Sequence, residues 1–517
     1  MKSDSPNILI FMVDQLTALV LKSYGGSVCK TPFIDEFASE SVLFENAYTP
    51  YPLCAPARFS MMSGQLPSRI GAYDNGAEFS ASVPTIAHHL RAAGYYTCIS
   101  GKMHFVGPDQ FHGYEERLTT EIYPADFCWT PTTVYGDISE DDERRYAAGV
   151  STIETVFDAG PMARSMQIDY DEDVVHCAVR EIYRLARADE HRPFFLTVSL
   201  THPHDPYVIT QEYWDRYSDD DIDSPRVDFI PLEDRDAHSR GLFYHYGQDK
   251  VEMTAQRYRN ARRAYYGMVS YVDDLFGRVR EALRLGGFTH NTIVCFTSDH
   301  GDMLGERGMW FKKTLFEPAV RVPLIISSPQ HSAMRSSAPA SLVDLLPTLL
   351  ELSGTENNAA TTELDGISLA PAMRGEPSQR DIHCEHLDGG TIAPRLMLRE
   401  GKYKYVYSHE YPPLLYDLES DPDERNNLSG MPVHTELESN LMRAIDARWN
   451  VNLMTREVIG NQAARRLIDS ALQSGRVEKW DFEPRAQTHN TNYVRRGDEF
   501  PHVERRGYLP YPKDKSE

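Results

Sequence analysis

An α/β fold, with a central and mostly parallel sheet flanked by helices, is predicted by three observations on the sequence. Short, continuously apolar runs recur at Ile8–Val13, Pro193–Leu200 and Asn291–Ser298, and runs of that kind suit strands buried on both faces of a parallel sheet. Helical periodicity fills 168–188 and 252–286, the latter with Met268, Tyr271, Val272, Leu275 and Val279 on one face. The runs end on ligand-type residues, Asp14-Gln15, Thr201-His202 and Asp299-His300, at the carboxyl ends where open α/β sheets place their sites.

The first strand, over 7–13, stops at Asp14, too short for a signal segment or a membrane span, so a cytoplasmic protein is expected. Asp14 itself also suits a helix N-cap. Ser82, Pro84 and the apolar spacing that follows predict a helix over 83–93. A strand over 95–100 then delivers Lys102 and His104, which alternate and can point to one side. A fixed cation beside a switchable donor suits an oxyanion, although a solvated lysine and a packed histidine would look the same. Residues 107–165 are rich in Pro, Gly, Asp and aromatics, Trp129 among them, and read as loops over a site. A strand over 323–327 and an apolar helix near 340–353 complete a first unit, 1–372. Short strands at 397–399, 403–407 and 414–418 mark a smaller α+β unit over 373–480. The polar tail, 481–517, holds too few core residues to fold alone and is expected to lie on its own globule or on a neighbouring subunit.

Composition narrows the function. The 517 residues are 41% hydrophobic and 25% charged, as in ordinary soluble globules. With 53 Lys and Arg against 76 Asp and Glu the net charge is −23, and no long basic run occurs. Nucleic acid and anionic membranes are thereby excluded as partners. An anionic substrate has to be drawn by a local positive pocket, and a cationic portion of it would be welcomed. The seven cysteines are odd in number, scattered and without Cys-x-x-Cys spacing, so neither a disulfide framework nor a zinc knuckle is indicated.

The stretch Thr49–Gly64 carries the chemistry. Cys54, Pro56, Arg58 and Gly64 form a pattern that resembles the signature of the type I sulfatases of the alkaline-phosphatase superfamily, whose cysteine is oxidised to formylglycine. A buried structural cysteine is the bland alternative. In the working protein the resemblance makes position 54 a hydrated aldehyde, one hydroxyl attacking sulfur and the other expelling sulfate afterwards. Pro56 suits a first helical turn, and Arg58, one turn beyond Cys54, can brace carboxylates with its fork. Asp14, Gln15, Asp299 and His300, each just past a strand, offer hard oxygens and one imidazole to a divalent cation, Ca²⁺ before Mg²⁺ or Mn²⁺. His202 is the first choice for the acid that protonates the leaving alkoxide, with Lys312 helping to neutralise the bridging oxygen.

The resemblance runs from about residue 5 to about 430. It is closest to the choline-sulfatase branch on Gly71–Asn75, Gly101–Gln110 and Tyr123–Pro131. It implies an alkaline-phosphatase-like fold, metal binding by Asp14, Gln15, Cys54, Asp299 and His300, and sulfate held by Arg58, Lys102, His104, His202 and Lys312. Asn75, Trp129, Glu385 and the tail residue Asp498 would face the rest of a choline-sulfate-like substrate. A formylglycine-generating enzyme would act on Cys54, and a homodimer or homotetramer is expected. The sequence departs from the branch at Glu143-Arg144-Arg145-Tyr146 and in the tail after Asn490. A phosphonate monoester or phosphodiester hydrolase of the same superfamily is the alternative enzyme. A non-catalytic binding protein is disfavoured by the presence of Cys54, Arg58, Lys102 and His202.

Overall fold

The computed structural model describes residues 5–131, 151–188, 192–355, 363–476 and 480. Its first element, β1 (Asn7–Val13), is buried along its whole length. Leu9, Phe11 and Val13 enter one core with Phe276 and Val272, while Ile8, Ile10 and Met12 enter a second with Phe195 and Leu345. Alternating side chains of a strand point to opposite faces, and from Ile8 to Val13 this strand has nothing polar to offer solvent on either. Each side chain contributes roughly 1.5–3 kcal/mol by leaving water.

The other strands of the large sheet are β2 (Val42–Tyr48), β3 (Tyr96–Gly101) and β4 (Glu116–Arg117), then, beyond the short β5 (Gly160–Pro161), β6 (Phe194–Ser199). After β7 (Val208–Ile209), which pairs with β5, come β8 (Thr292–Ser298), β9 (Leu324–Ser327) and β10 (Met334–Ser341). Their order is β10-β2-β9-β8-β1-β6-β3-β4. All pairings are parallel except those of β9, which runs against both β2 and β8. The carboxyl ends of β2, β8, β1, β6 and β3 therefore share one edge of the sheet.

The helices expected over 168–188 and 252–286 are Met166–Ala186 and Ala255–Leu285. That expected over 83–93 is shorter, Ile86–Ala92, because Thr85 caps it in a reciprocal pair with His88. Neither β2 nor β10 was expected. The β10 sequence is poor in apolar residues, and Pro339 sits beside a register shift on a strand at the edge of the sheet, where a missing N–H is tolerated.

A second sheet, β11 (Ile382–His386), β12 (Arg395–Glu400), β13 (Tyr403–Tyr407) and β14 (Leu414–Asp417), is an antiparallel meander. Its core includes Tyr51, Leu53, Leu66 and Tyr73, from the segments on either side of the Cys54 helix. Two helices that periodicity did not reveal, Thr435–Arg448 and Val451–Leu472, close the described chain. The first buries only Leu441 and Ile445 and the second only Met454, Val458, Gln462 and Arg465, too narrow a stripe to read as amphipathic. Arg465 pairs with buried Asp74 at 2.6 Å and donates to Thr130 Oγ1 at 2.9 Å, so the last helix holds the segment that carries Trp129.

Residues 143–146 and the tail with Asp498 lie outside the described residues. All seven cysteines are free. Among the described residues no helix is long and apolar enough to cross a membrane.

Candidate active site

Cys54 is the first residue of a helix, Cys54–Ser63, every residue of which is buried. The residue before it, Leu53, offers no side-chain cap, and Asn75 Oδ1 instead accepts the Ala55 N–H at 3.0 Å. Asn75 thus caps the helix on which Cys54 sits. The free N–H groups of a helix start favour negative charge. Burial and Asp14 push the Cys54 thiol up, but Lys102, Lys312 and a hydrogen bond from His204 outweigh them, and its pKa falls below the ordinary value.

Around Cys54 the sheet edge delivers four more groups. Asp14 follows β1, Asp299 and His300 follow β8, and one ligand atom from each of Asp14, Cys54, Asp299 and His300 lies within 4.8 Å of the others. His300 Nδ1 faces the Gly301 carbonyl at 2.9 Å, which leaves the Nε2 lone pair 3.3 Å from Cys54 Sγ and 3.7 Å from both carboxylates. Burial, above all, holds the His300 pKa below its ordinary value, in the neutral form that a metal needs. Two carboxylates, a neutral imidazole and a deprotonated side chain at position 54 fit a divalent cation. Gln15 stands beside the group without closing it. Its Oε1 accepts from Lys312 at 2.8 Å and its Nε2 donates to Asp302 at 2.7 Å and Asp205 at 3.2 Å.

Arg58 holds the carboxylates. Its Nε donates to Asp299 at 2.8 Å and its Nη2 to Asp14 at 3.0 Å, all three side chains being fully buried. Nη1 goes to the Lys102 carbonyl at 2.6 Å and Ser199 Oγ at 2.8 Å. Although burial opposes the charge, Asp299 and Asp14 raise the Arg58 pKa above its ordinary value. The guanidinium is committed to the protein, so Arg58 organises the ligands instead of facing a sulfate.

Lys102 pairs with Asp14 and lies 4.0 Å over the Tyr123 ring. It is delivered by Gly101, at φ +112°, where a Cβ would come within 1.9 Å of the Ser199 carbonyl oxygen. His104, itself at φ +59°, packs against Tyr123 and Trp129 with ring centroids 5.1 and 5.4 Å away. Both its ring nitrogens are buried without partners among the described residues. Burial, then Lys102 and Arg58, hold its pKa well below the ordinary value. Gln15, Phe311 and Lys313 also have positive φ, and strained backbone concentrated in this way is typical of sites.

Lys312 Nζ reaches Cys54 Sγ at 3.3 Å and His204 Nε2 at 2.5 Å. Burial lowers its pKa, but Cys54, Asp14, Asp205 and Asp299 raise it further. His202, expected as the acid, has other partners in the structure. Its Nδ1 faces Asp171 Oδ2 at 2.7 Å, its ring meets Tyr271, and it makes no hydrogen bond to Cys54, Lys102 or Lys312. His204, two residues on, is the histidine that stands against Lys312. The only signal for this in the sequence was the His-x-His alternation in a loop after a strand, which leaves the choice between the two open.

Glu385 is likewise held away from a substrate role. Its oxygens accept from Ser68 N and Oγ at 2.8 and 2.7 Å and from Trp449 Nε1 at 2.7 Å, tying the small sheet to the segment after the Cys54 helix. Tyr123 and Ser199, which touch Lys102 and Arg58, were not singled out from the sequence.

A family model described as "Sulfatase" matches residues 6–355. One described as "N-sulphoglucosamine sulphohydrolase, C-terminal" matches 305–450, and "Choline sulfatase enzyme C terminal" matches 456–507. The chain is 41% identical over 501 residues to "Choline-sulfatase" of Rhizobium meliloti (strain 1021), covering 96% of each. It is 30% identical over 454 residues to "Arylsulfatase" of Clostridium perfringens, covering 82% of this chain and 90% of that one. Among solved structures, the phosphonate monoester hydrolase of Agrobacterium radiobacter shares the fold, with a TM-score of 0.68 and 22% identity over 86% of this chain and 95% of that one.

Proposed function

Because the chain belongs to the sulfatase family and is a sulfuric ester hydrolase, we propose that its substrate is a small alkyl sulfate monoester, with choline sulfate foremost. The end-to-end match to Choline-sulfatase, which continues into the last part of the chain, carries this reading. The aromatic faces of Tyr123 and Trp129 beside Lys102 support it, since such faces attract quaternary ammonium groups. A net charge of −23 also favours a cationic alcohol.

In this reading Cys54 is converted to formylglycine by a generating enzyme, and that residue, Asp14, Asp299 and His300 hold a divalent cation, Ca²⁺ by preference, with Gln15 adjoining. The cation supplies acidification of the aldehyde hydrate and polarisation of the sulfate oxygens. The side chains do the rest. Arg58 fixes both carboxylates, and Lys102 and Lys312 set positive charge around the transferred group. Lys312 and His204 share a proton between Nζ and Nε2, available to the departing alkoxide. His204 Nδ1 is held on the Asp205 carbonyl at 2.5 Å, which fixes the tautomer.

His204→Ala is expected to lower kcat by about 10²–10⁴-fold, and His202→Ala to act mainly on stability through the lost Asp171 contact. Steady-state kinetics and thermal melts of both variants decide, and the reverse ranking in kcat would restore His202 as the acid. For substrate class, kcat/KM is measured for choline sulfate, 4-nitrophenyl sulfate and a phenyl phosphonate monoester. Choline sulfate is expected to lead, and a leading phosphonate ester would replace this reading with that of the fold neighbour. We also read the chain as a homo-oligomer joined through 481–517, which light scattering of the full chain and of a chain ending at Trp480 tests.

A further inference from the structure

Away from the cation ligands, a cavity of about 360 Å³ opens where the helix Ala237–His245 meets β14 and the turn Glu306–Gly308. Arg235, Arg307, Arg395, Arg425 and His238 line it. Arg235 is 5% exposed, Arg395 3% and His238 1%.

Arg235 and Arg395 form no ion pair among the described residues, although the nearby Asp236 carboxylate offsets part of the charge of each. Arg235 Nε donates to the Ile230 carbonyl at 2.8 Å and Nη2 to the Arg307 carbonyl at 3.1 Å, while Nη1 has no partner. Arg395 Nη1 donates to His238 Nδ1, and its Nε has none. With Nδ1 accepting, His238 carries its proton on Nε2, which is also without a partner. The carboxylates of the lining are engaged elsewhere or exposed. Asp236 caps the helix through Ser239, Glu424 is held by Lys404 at 2.8 Å and the Glu317 N–H at 2.7 Å, and Asp234 faces solvent. Burial pulls the Arg395 pKa below its ordinary value and that of Arg235 down to about 10. A protein with a net charge of −23 has carboxylates to spare, yet among the described residues two guanidiniums in one cavity have no ion pair and each keeps an N–H without a partner.

We propose that this cavity is a second anion site, which takes a tetrahedral oxyanion, sulfate or phosphate, free or as the head of a small ester. Buried guanidinium donors match the oxygens of such an anion, Nε2–H of His238 is a third buried donor in the same lining, and the volume leaves room for accompanying water. The site does not depend on the chemistry at Cys54.

Two measurements test it. In crystals of the whole protein soaked in selenate, an anomalous peak is expected between Arg235 and Arg395, separate from any at Cys54; its absence at saturating selenate overturns the proposal. In solution, thermal melts of Lys102→Ala, in which anion binding at the catalytic pocket is weakened, are recorded with sulfate, phosphate or glycerol phosphate against chloride at matched ionic strength. A saturable rise in Tm on the order of 3 °C is expected. A response to the inorganic ions alone identifies a free ion, and a response to all three identifies the head of a larger molecule. Adding Arg395→Gln is expected to abolish the rise while leaving Tm without anion equal or higher, because an unpaired buried charge has been removed. A rise that survives Arg395→Gln overturns the site. If that variant does not fold, Arg235→Gln takes its place.

Discussion

Cys54→Ala is expected to lower kcat by at least about 10³-fold while the protein folds normally. Position 54 is the first residue of a helix and 1% exposed, and its side chain meets groups of the site, His300 and Lys312 at 3.3 Å each, Asp14 at 3.8 Å, and His204. Alanine is a good helix former, and the Asn75 cap does not involve the side chain it replaces. Circular dichroism and the melting midpoint should therefore stay close to those of the parent while turnover is lost. Retention of more than a few per cent of the activity would sink the role given to Cys54.

Arg58→Ala should produce the largest loss of stability of any single substitution at the site. Two carboxylates, Asp14 and Asp299, are fully buried against one fully buried guanidinium. Removing one member of a buried pair costs about 3–5 kcal/mol, here because Asp299 is left buried without a cationic side chain, while Asp14 keeps Lys102. The pH dependence has a definite sign. Burial raises the Asp14 pKa, but Lys102, His204 and Arg58 bring it well below 3.8 in the folded state. A carboxylate with a depressed folded pKa contributes stability that is present above its unfolded pKa and lost as pH falls through the folded value. Without Arg58 that contribution shrinks, so the deficit is expected to be larger at pH 7 than near pH 3. Arg58→Lys should not rescue it, since an ammonium cannot span both carboxylates as a planar fork does. Urea unfolding of the three proteins checks this, and a parental midpoint for Arg58→Ala would refute it.

The central sheet could be read from the sequence because β1, β6 and β8 are buried on both faces and are therefore mostly apolar, with only small hydroxyl residues and Asn7 among them. The strands β2 and β10 escaped notice because they lie at or near an edge, where Glu45, Asn46 and Pro339 are tolerated. Site residues fixed by their distance along the chain from a strand, such as Asp14, Lys102, Asp299 and His300, were within reach of the same reasoning. Roles that depend on where a side chain points were not. His202 and His204 are the same residue type in one loop, and only the Asp171 carboxylate and the Lys312 ammonium separate them. Glu385 looked available as a ligand because Ser68 and Trp449, which hold it, are remote in sequence.

The position of β1 between β6 and β8 has a consequence during synthesis. Both neighbours come from far downstream, Leu9 pairing with Leu196 on one side and Val294 on the other. A ribosome adding about 5–20 residues per second needs roughly 15–60 s to reach the second neighbour after completing the first strand. Throughout that interval an uncharged segment, apolar from Ile8 to Val13, has no partner on at least one side, which is the state that chaperones recognise and that aggregates when they are scarce. Nascent chains arrested before β8 should accordingly be captured by chaperones or be insoluble, and release into soluble protein should begin only once Ser298 has left the exit tunnel.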